Sequence, residues 1–306
     1  MYGSAFYKLD ARNLLKGNYG PALIASLIFL IPSYILSLKN YLFIDTTNPL
    51  VSNILSTAID AIISIFVISI LNVGFYRFLL RMKRADDPTI NPETKRYDIN
   101  LIVSGFTTNY LNTLKITFLM NLYLFFWLLL ALVPAMIFIG VMAFLAASTD
   151  VISTLFSLIQ QLGVSPSTDM INSLSSYITE NCPYLPVIFT FVFLLTIAGF
   201  IPLIMKYFEY AAIPMILADD PNISTERAFK RSKNIMNGFR ARYFFIQLSF
   251  IHFVFIAAFV MLISQSMFIY YIAIAFLQPY ITTTLLSFYK ERRDILDYNI
   301  SVYGEH

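Results

Sequence analysis

Six uninterrupted apolar runs constrain this chain more than any other feature. They cover residues 21–38, 58–80, 117–147, 187–205, 243–263 and 267–289. A helix rises about 1.5 Å per residue, so about 20 apolar residues cross the hydrocarbon core of a bilayer. Inside that core every backbone N–H and C=O needs a partner within the protein, which leaves helices as the solution for runs of this length. The runs therefore predict an all-α fold, a polytopic transmembrane helical bundle of about six spans.

Composition agrees. Of the 306 residues, 58% are hydrophobic and 13% charged, with a mean hydropathy of +0.69. Soluble domains carry about 25% charged residues. The first run follows Lys8, Arg12 and Lys16 but is too long for the apolar stretch of a signal peptide, and no small-residue cleavage pattern follows it. It reads as a retained span.

The basic residues alternate from one connection to the next. Every Lys and Arg except Lys39 falls in the N-terminal segment, in the second and fourth connections or in the C-terminal tail. The positive-inside rule then predicts that both termini are cytoplasmic. Pro134 inside the third span predicts a kink, tilt or break. Pro202, with Pro214 beyond it, suggests a broken fourth span. Ser264-Gln265-Ser266 predicts a tight hairpin between the last two.

Residues 11–17, Ala-Arg-Asn-Leu-Leu-Lys-Gly, share a pattern with residues 232–238, Ser-Lys-Asn-Ile-Met-Asn-Gly. Each precedes a span, and a fainter copy begins near Ser104-Gly105-Phe106. The pattern suggests three units, each a short interfacial helix followed by a two-span hairpin. Gly17 and Gly238 suit a left-handed helix end.

Ser224–Asn237 reads as an amphipathic helix, with Ser224 as its cap and Glu226 in its first turn. Ala228, Phe229, Ser232, Ile235 and Met236 form its apolar stripe. Arg227, Lys230, Arg231 and Lys233 form its basic face and are the candidate lipid-headgroup contacts. Helices of this kind lie on anionic leaflets. A topology anchor without a specific ligand fits the same residues.

The stretch from Tyr210-Ala211-Ala212-Ile213-Pro214 through Asp219-Asp220-Pro221 leads to Ile223-Ser224, Ala228, Ser232, Met236 and Gly238. Phe244, Leu248-Ser249-Phe250-Ile251, Gln278-Pro279-Tyr280 and Phe288-Tyr289 follow, and Leu15-Lys16-Gly17-Asn18-Tyr19-Gly20 stands near the start. With these residues the chain resembles the bacterial integral membrane family called domain of unknown function 975. That family is similar in turn to the membrane domain of some glycerophosphodiester phosphodiesterases. The resemblance implies a bacterial plasma-membrane protein of about six spans. It implies no activity and carries over no functional residue, and the catalytic barrel of the phosphodiesterases has no counterpart here.

Ionisable and amide side chains at membrane depth are the functional suspects. His252, Asn72 and Gln247 form a candidate intramembrane polar site, although each also fits a hydrogen-bonding strut between helices. Lys206 and Glu209, three residues apart near the inner end of the fourth span, join the candidates. Asp60 reads as interfacial. Residues 148–186 form an outer loop with no Lys or Arg and two amphipathic stripes, one from Val151 to Leu162 and one from Met170 to Ile178. These predict short helices that lie on the bundle or the leaflet. Asp219-Asp220-Pro221 reads as a turn before a helix.

No phosphate-binding glycine loop, zinc-protease motif or Cys/His cluster occurs, and Cys182 is the single cysteine. The expectation is a non-enzymatic protein with no cofactor, no metal and no nucleic-acid partner. It would act through anionic lipid at its cytoplasmic face or through a partner membrane protein, as an accessory or envelope-stress protein does. The alternative is a transporter or channel for a small or amphipathic solute.

Overall fold

A computed structural model describes residues 3–42, 49–85, 98–148, 154, 157–160, 168–181 and 183–303. Among the described residues there is no β-strand. In chain order the helices are α1 (Ser4–Leu15), α2 (Tyr19–Leu42), α3 (Pro49–Ile63), α4 (Ser69–Ala85), α5 (Asn100–Val103), α6 (Tyr110–Ser148) and α7 (Thr168–Asn181). They continue with α8 (Leu185–Tyr210), α9 (Ile213–Asp219), α10 (Thr225–Met236), α11 (Arg240–Leu248), α12 (Ile251–Ser264) and α13 (Met267–Tyr303). Six stretches are long and apolar enough to cross a membrane: Tyr19–Leu38, Ser52–Lys83, Tyr110–Met142, Leu185–Asp219, Arg240–Ser264 and Met267–Val302. Each contains or overlaps one of the apolar runs. The fold is a membrane-spanning helical bundle.

The larger compact unit holds residues 1–122 and 207–306. Its centre is α13, which packs against α1, α2, α11 and α12. Small residues set the closest approach. Ala22, Ala25 and Ser26 of α2 and Ala275 of α13 are fully buried, and Ser26 Oγ donates to the Ala275 carbonyl at 2.7 Å. Close contact between small side chains is the main source of packing energy where lipid removes the hydrophobic drive between helices. Further along, Tyr271 donates to the Ser33 carbonyl at 3.0 Å, and the Phe29 and Phe75 rings stack at 5.5 Å. Two buried hydroxyls on α13 bond within the helix: Thr284 to the Tyr280 carbonyl and Ser287 to that of Thr283.

One contact is tighter still. The short segment α5, with the 3-10 turn Ser104–Phe106, lies on α4 through two glycines. A methyl group on Gly74 would overlap the Ile102 carbonyl, at 2.7 Å from its carbon and 3.1 Å from its Cα. One on Gly105 would meet Ile70 Cγ2 at 2.7 Å.

Three positive-φ residues mark the turns that lead into apolar stretches long enough to cross a membrane. They are Gly17 (φ 86°) before α2, Asn109 (φ 52°) before α6 and Gly238 (φ 74°) before α11. Asn, with glycine, is among the residues that tolerate this conformation best. Gln265 (φ 51°) turns the chain between α12 and α13, in the expected tight hairpin.

The helices depart from the sequence reading in three ways. First, α6 runs through Pro134 and α8 through Pro202 without interruption. The break comes later, at Ala211–Ala212, where α9 begins with Pro214 in its first turn. Second, the fifth span breaks at Ser249–Phe250, between α11 and α12. Lys8 reaches that turn and donates to the Ser249 carbonyl at 3.4 Å, with its ammonium 4.6 Å from the Phe250 ring centre. Third, a π-turn at Ser64–Ile68 joins α3 to α4, and Ser69 Oγ bonds to the Ser64 carbonyl at 2.9 Å.

The smaller unit is residues 123–206. Gly199 approaches the Ala131 backbone, where an added methyl would lie 3.0 Å from the carbonyl oxygen. The Phe138 and Phe189 rings meet at 6.3 Å, and Lys206 Nζ lies 5.9 Å from the Trp127 ring centre. Large apolar side chains such as Val187, Phe191 and Phe193 point outward, as spans facing lipid require. Helix α7 forms where the second stripe of the outer loop predicts one. Most of the first stripe (Val151, Ile152, Leu155, Phe156 and Leu162) lies outside the described residues, as does Cys182.

Candidate functional site

The charges of the larger unit collect at one end of the bundle, where α1, α9 and α10 surround the last turns of α4 and α13. Lys83 near the end of α4 donates to Asp10 of α1 at 2.5 Å and to Ser287 of α13 at 2.9 Å. This pair joins three helices. Burial raises the Asp10 carboxyl, but the Lys83 and Ser287 hydrogen bonds and the nearby ammonium charges outweigh it, so its pKa lies below the usual value. Tyr7, fully buried, donates to the Glu291 carboxylate. Burial pushes the Tyr7 hydroxyl up to about 12, Glu291 adds to the rise, and Arg242 opposes it.

A second set of pairs holds α9 and α10 to α13. Arg293 donates to Asp219 at 2.5 Å and to Asp294 at 2.8 Å. Nη2 of Arg231 sits between both Asp297 oxygens, at 2.8 and 2.9 Å. Buried Glu209 accepts from Arg240 at 2.8 Å, and its own carbonyl accepts from Ser232 Oγ at 2.7 Å. Arg77 bridges α4 to Ser104 Oγ at 2.8 Å and to the Leu217 carbonyl at 3.5 Å. The Arg292 guanidinium stacks on Phe239 at 3.5 Å.

Helix α10 has the predicted cap: Ser224 Oγ accepts from the Arg227 N–H at 3.4 Å. The loop before it is pinned by Asn112, whose amide donates to the carbonyls of Pro221 (2.9 Å) and Ile223 (3.0 Å). Its stripe residues Ala228, Ser232, Ile235 and Met236 are buried against the protein. This alters the expected geometry. A helix whose apolar stripe is already covered cannot sink that stripe into a leaflet. The four basic residues also part company. Arg231 is held by Asp297, Lys233 is exposed beside the turn into α11, and Arg227 and Lys230 line a cleft of about 1290 Å³ between α10 and the far end of α13.

His252, Asn72 and Gln247 are not drawn together by hydrogen bonds among the described residues. His252 exposes its ring on α12, with its centre 4.0 Å from that of Phe253. Asn72 and Gln247 are half-buried, and among the described residues no hydrogen bond links any of the three. Among the described residues, too, no group of three or more His, Cys, Asp or Glu side chains could hold a metal ion. Sequence reading missed Asp10, Lys83, Arg77 and Arg293. Their partners are up to 204 residues away, and no local spacing signals them.

A family model described as a protein of unknown function (DUF975) matches residues 1–294. The chain belongs to that family. Comparisons with curated proteins and with solved structures give no match. For this DUF975 chain, function has to be argued from the charged end itself.

Proposed function

We propose that this is a non-enzymatic multi-pass protein of the bacterial plasma membrane that works through contacts of its charged face, with both termini cytoplasmic. Its contacts are anionic lipid where the face meets the bilayer and a partner molecule beyond it, as in an accessory or envelope-stress protein. The observation that carries the reading is the placement of Arg12, Lys16 and Lys233. All three are exposed, and they precede the left-handed glycines Gly17 and Gly238 from which the chain turns into a span. Juxtamembrane cations at that depth attract anionic headgroups, each contributing about 1 kcal/mol. The ion pairs, most of them partly buried, tie the helices of that face together. The same reading treats α1–α2, α5–α6 and α10–α11 as copies of one unit, each with a left-handed residue at its turn. The likeness to the membrane domain of glycerophosphodiester phosphodiesterases fits a helper role without chemistry.

The test is melting of detergent-purified protein with added lipid, since a ligand of the folded state raises its apparent stability. Phosphatidylglycerol should raise the melting temperature, phosphatidylcholine should not, and Arg12→Gln/Lys16→Gln/Lys233→Gln should lose the difference. Equal shifts from both lipids would sink the lipid half of the reading.

One observation favours the transporter reading. The broken fifth span, with Lys8 at the Ser249 carbonyl, resembles the interrupted helices that line transport sites. With Cys182→Ser as background, a cysteine in place of Ser249 should resist a membrane-impermeant thiol reagent if the bundle is dry. Rapid labelling would move transport ahead.

A further inference from the structure

We infer that the cleft between α10 and the end of α13 binds a water-soluble organic phosphate. The inference deepens the contact reading above by naming a ligand for part of the charged face.

Two cations without a partner are the first argument. Asp297 is paired with Arg231, and Asp220 accepts the Asn222 N–H at 3.0 Å. Arg227 and Lys230 have no acceptor among the described residues, and Asp220 and Glu226 are the acids of the same lining. The two cations are three apart on α10, so they project from one side of adjacent turns, with their Cβ atoms about 5–6 Å apart. That spacing lets both reach one phosphate or two linked ones. Arg supplies a fork of donors to phosphate oxygens and Lys a point charge. The first turn of α10 lies at the same end of the cleft and adds its partial positive charge.

Size and lining come second. The cleft of about 1290 Å³ is larger than an inorganic phosphate needs and exceeds the usual range of small-molecule sites, about 300–1,000 Å³, so it has room for the carbon skeleton of an organic phosphate. Leu296 and Ile300 form part of its wall and can pack against a carbon skeleton.

Depth decides between a headgroup and a dissolved ligand. Charged residues begin on α13 at Lys290, and the cleft wall at Leu296–Ile300 lies six to ten residues further along. At about 1.5 Å per residue that is about 9–15 Å. One headgroup layer is about 5–7 Å thick. The cleft therefore opens beyond the headgroups, into water.

The experiment is calorimetric titration of inorganic pyrophosphate into the full chain in nanodiscs. In phosphatidylcholine discs, pyrophosphate should bind saturably with one site per chain. Arg227→Gln/Lys230→Gln should weaken binding at least tenfold at an unchanged melting temperature, while Lys233→Gln should stay within twofold of wild type. In phosphatidylglycerol discs the affinity should be the same. Absence of saturable binding in phosphatidylcholine, or equal binding by the double variant, would overturn the site. Loss of binding in phosphatidylglycerol discs would overturn the dissolved source, because headgroups would then occupy the cleft. Because the lipid test uses Arg12, Lys16 and Lys233, this inference can fail while the contact reading stands.

Discussion

Gly74→Ala separates packing from helix propensity, because the two predict opposite signs. By propensity, Ala in place of a mid-helix glycine stabilises by about 0.5–1 kcal/mol. By packing it cannot fit. The new methyl would lie 2.7 Å from the Ile102 carbonyl carbon, where carbon atoms settle at about 3.5 Å. The carbonyl oxygen is closer still; the obstacle is backbone, so no rotamer change relieves it, and α5 must move by at least about 0.8 Å. Such a shift stretches the Arg77–Ser104 hydrogen bond, now 2.8 Å, to about 3.6 Å, which is no longer a bond. Overpacking costs about 1–3 kcal/mol. A hydrogen bond to a charged group adds about 1.5–3 kcal/mol. After the propensity gain the net loss is about 1.5–5.5 kcal/mol, a drop of roughly 3–22 °C on the scale of soluble domains of similar size. Melting in detergent, followed by the fraction that stays monodisperse after heating, reads this directly. Gly140→Ala is the control, since nothing lies within 4 Å of its added methyl, and it should melt at or slightly above wild type. If Gly74→Ala also melts at or above wild type, the α4–α5 contact is not what limits that position.

The Lys83–Asp10 pair should show the asymmetry of a partly buried pair. Asp10→Ala or Lys83→Met alone should destabilise by about 1–3 kcal/mol, and the double variant by less than the sum, measured as a double-mutant cycle in thermal melts. Because the Asp10 pKa is depressed in the folded state, that stability is present above its unfolded value near 4 and is lost as pH falls through the folded one. The Tyr7 hydroxyl behaves in the opposite sense. Raised from 10 to about 12, it favours the folded state below pH 10, and that stability disappears as pH rises from about 10 to 12. Tyr7→Phe should flatten the melting temperature over that window; an unchanged alkaline slope would count against the assignment. Gly238→Ala should cost about 1–2 kcal/mol through its positive φ although nothing crowds it, whereas Asn109→Gly should stay within about 1 kcal/mol of wild type in the same melts, its freer φ offsetting the lost hydrogen bond to Asn222.

The apolar cores of the spans were legible in the sequence because hydropathy reports them directly. Their ends were not. Helices α4 and α13 continue as charged surface after the apolar run stops, to Ala85 and Tyr303, and composition cannot separate a helix leaving the membrane from a loop. Pro134, read as a kink, tilt or break, does not interrupt its helix, and the break expected of the fourth span falls beyond Pro202, at Ala211–Ala212 just before Pro214. A membrane helix can absorb a proline where neighbouring groups satisfy the freed carbonyl. The actual break at Ser249–Phe250 carries neither Gly nor Pro, and Lys8, which caps it, is 241 residues away. The stripe of Ser224–Asn237 was correctly apolar, but periodicity does not say whether protein or leaflet covers it. The candidate cleft was half legible: Arg227 and Lys230 stood out as cations on one face, while the opposite wall comes from residues 296–300, distant in sequence.

The bond from Tyr7 to Glu291 spans 284 positions of the chain. During synthesis at about 5–20 residues per second, the first helix therefore waits roughly 15 to 60 s for its partner. Throughout that interval α1 carries an uncovered tyrosine, and the pocket that will receive it does not yet exist. Asp10 can meet Lys83 early, but the Tyr7 contact is a closing step, made after the last span, and it tells a finished bundle from an unfinished one. A quality-control protease at the membrane surface would find an accessible N-terminal helix on every stalled or truncated copy and a sealed one on every complete copy.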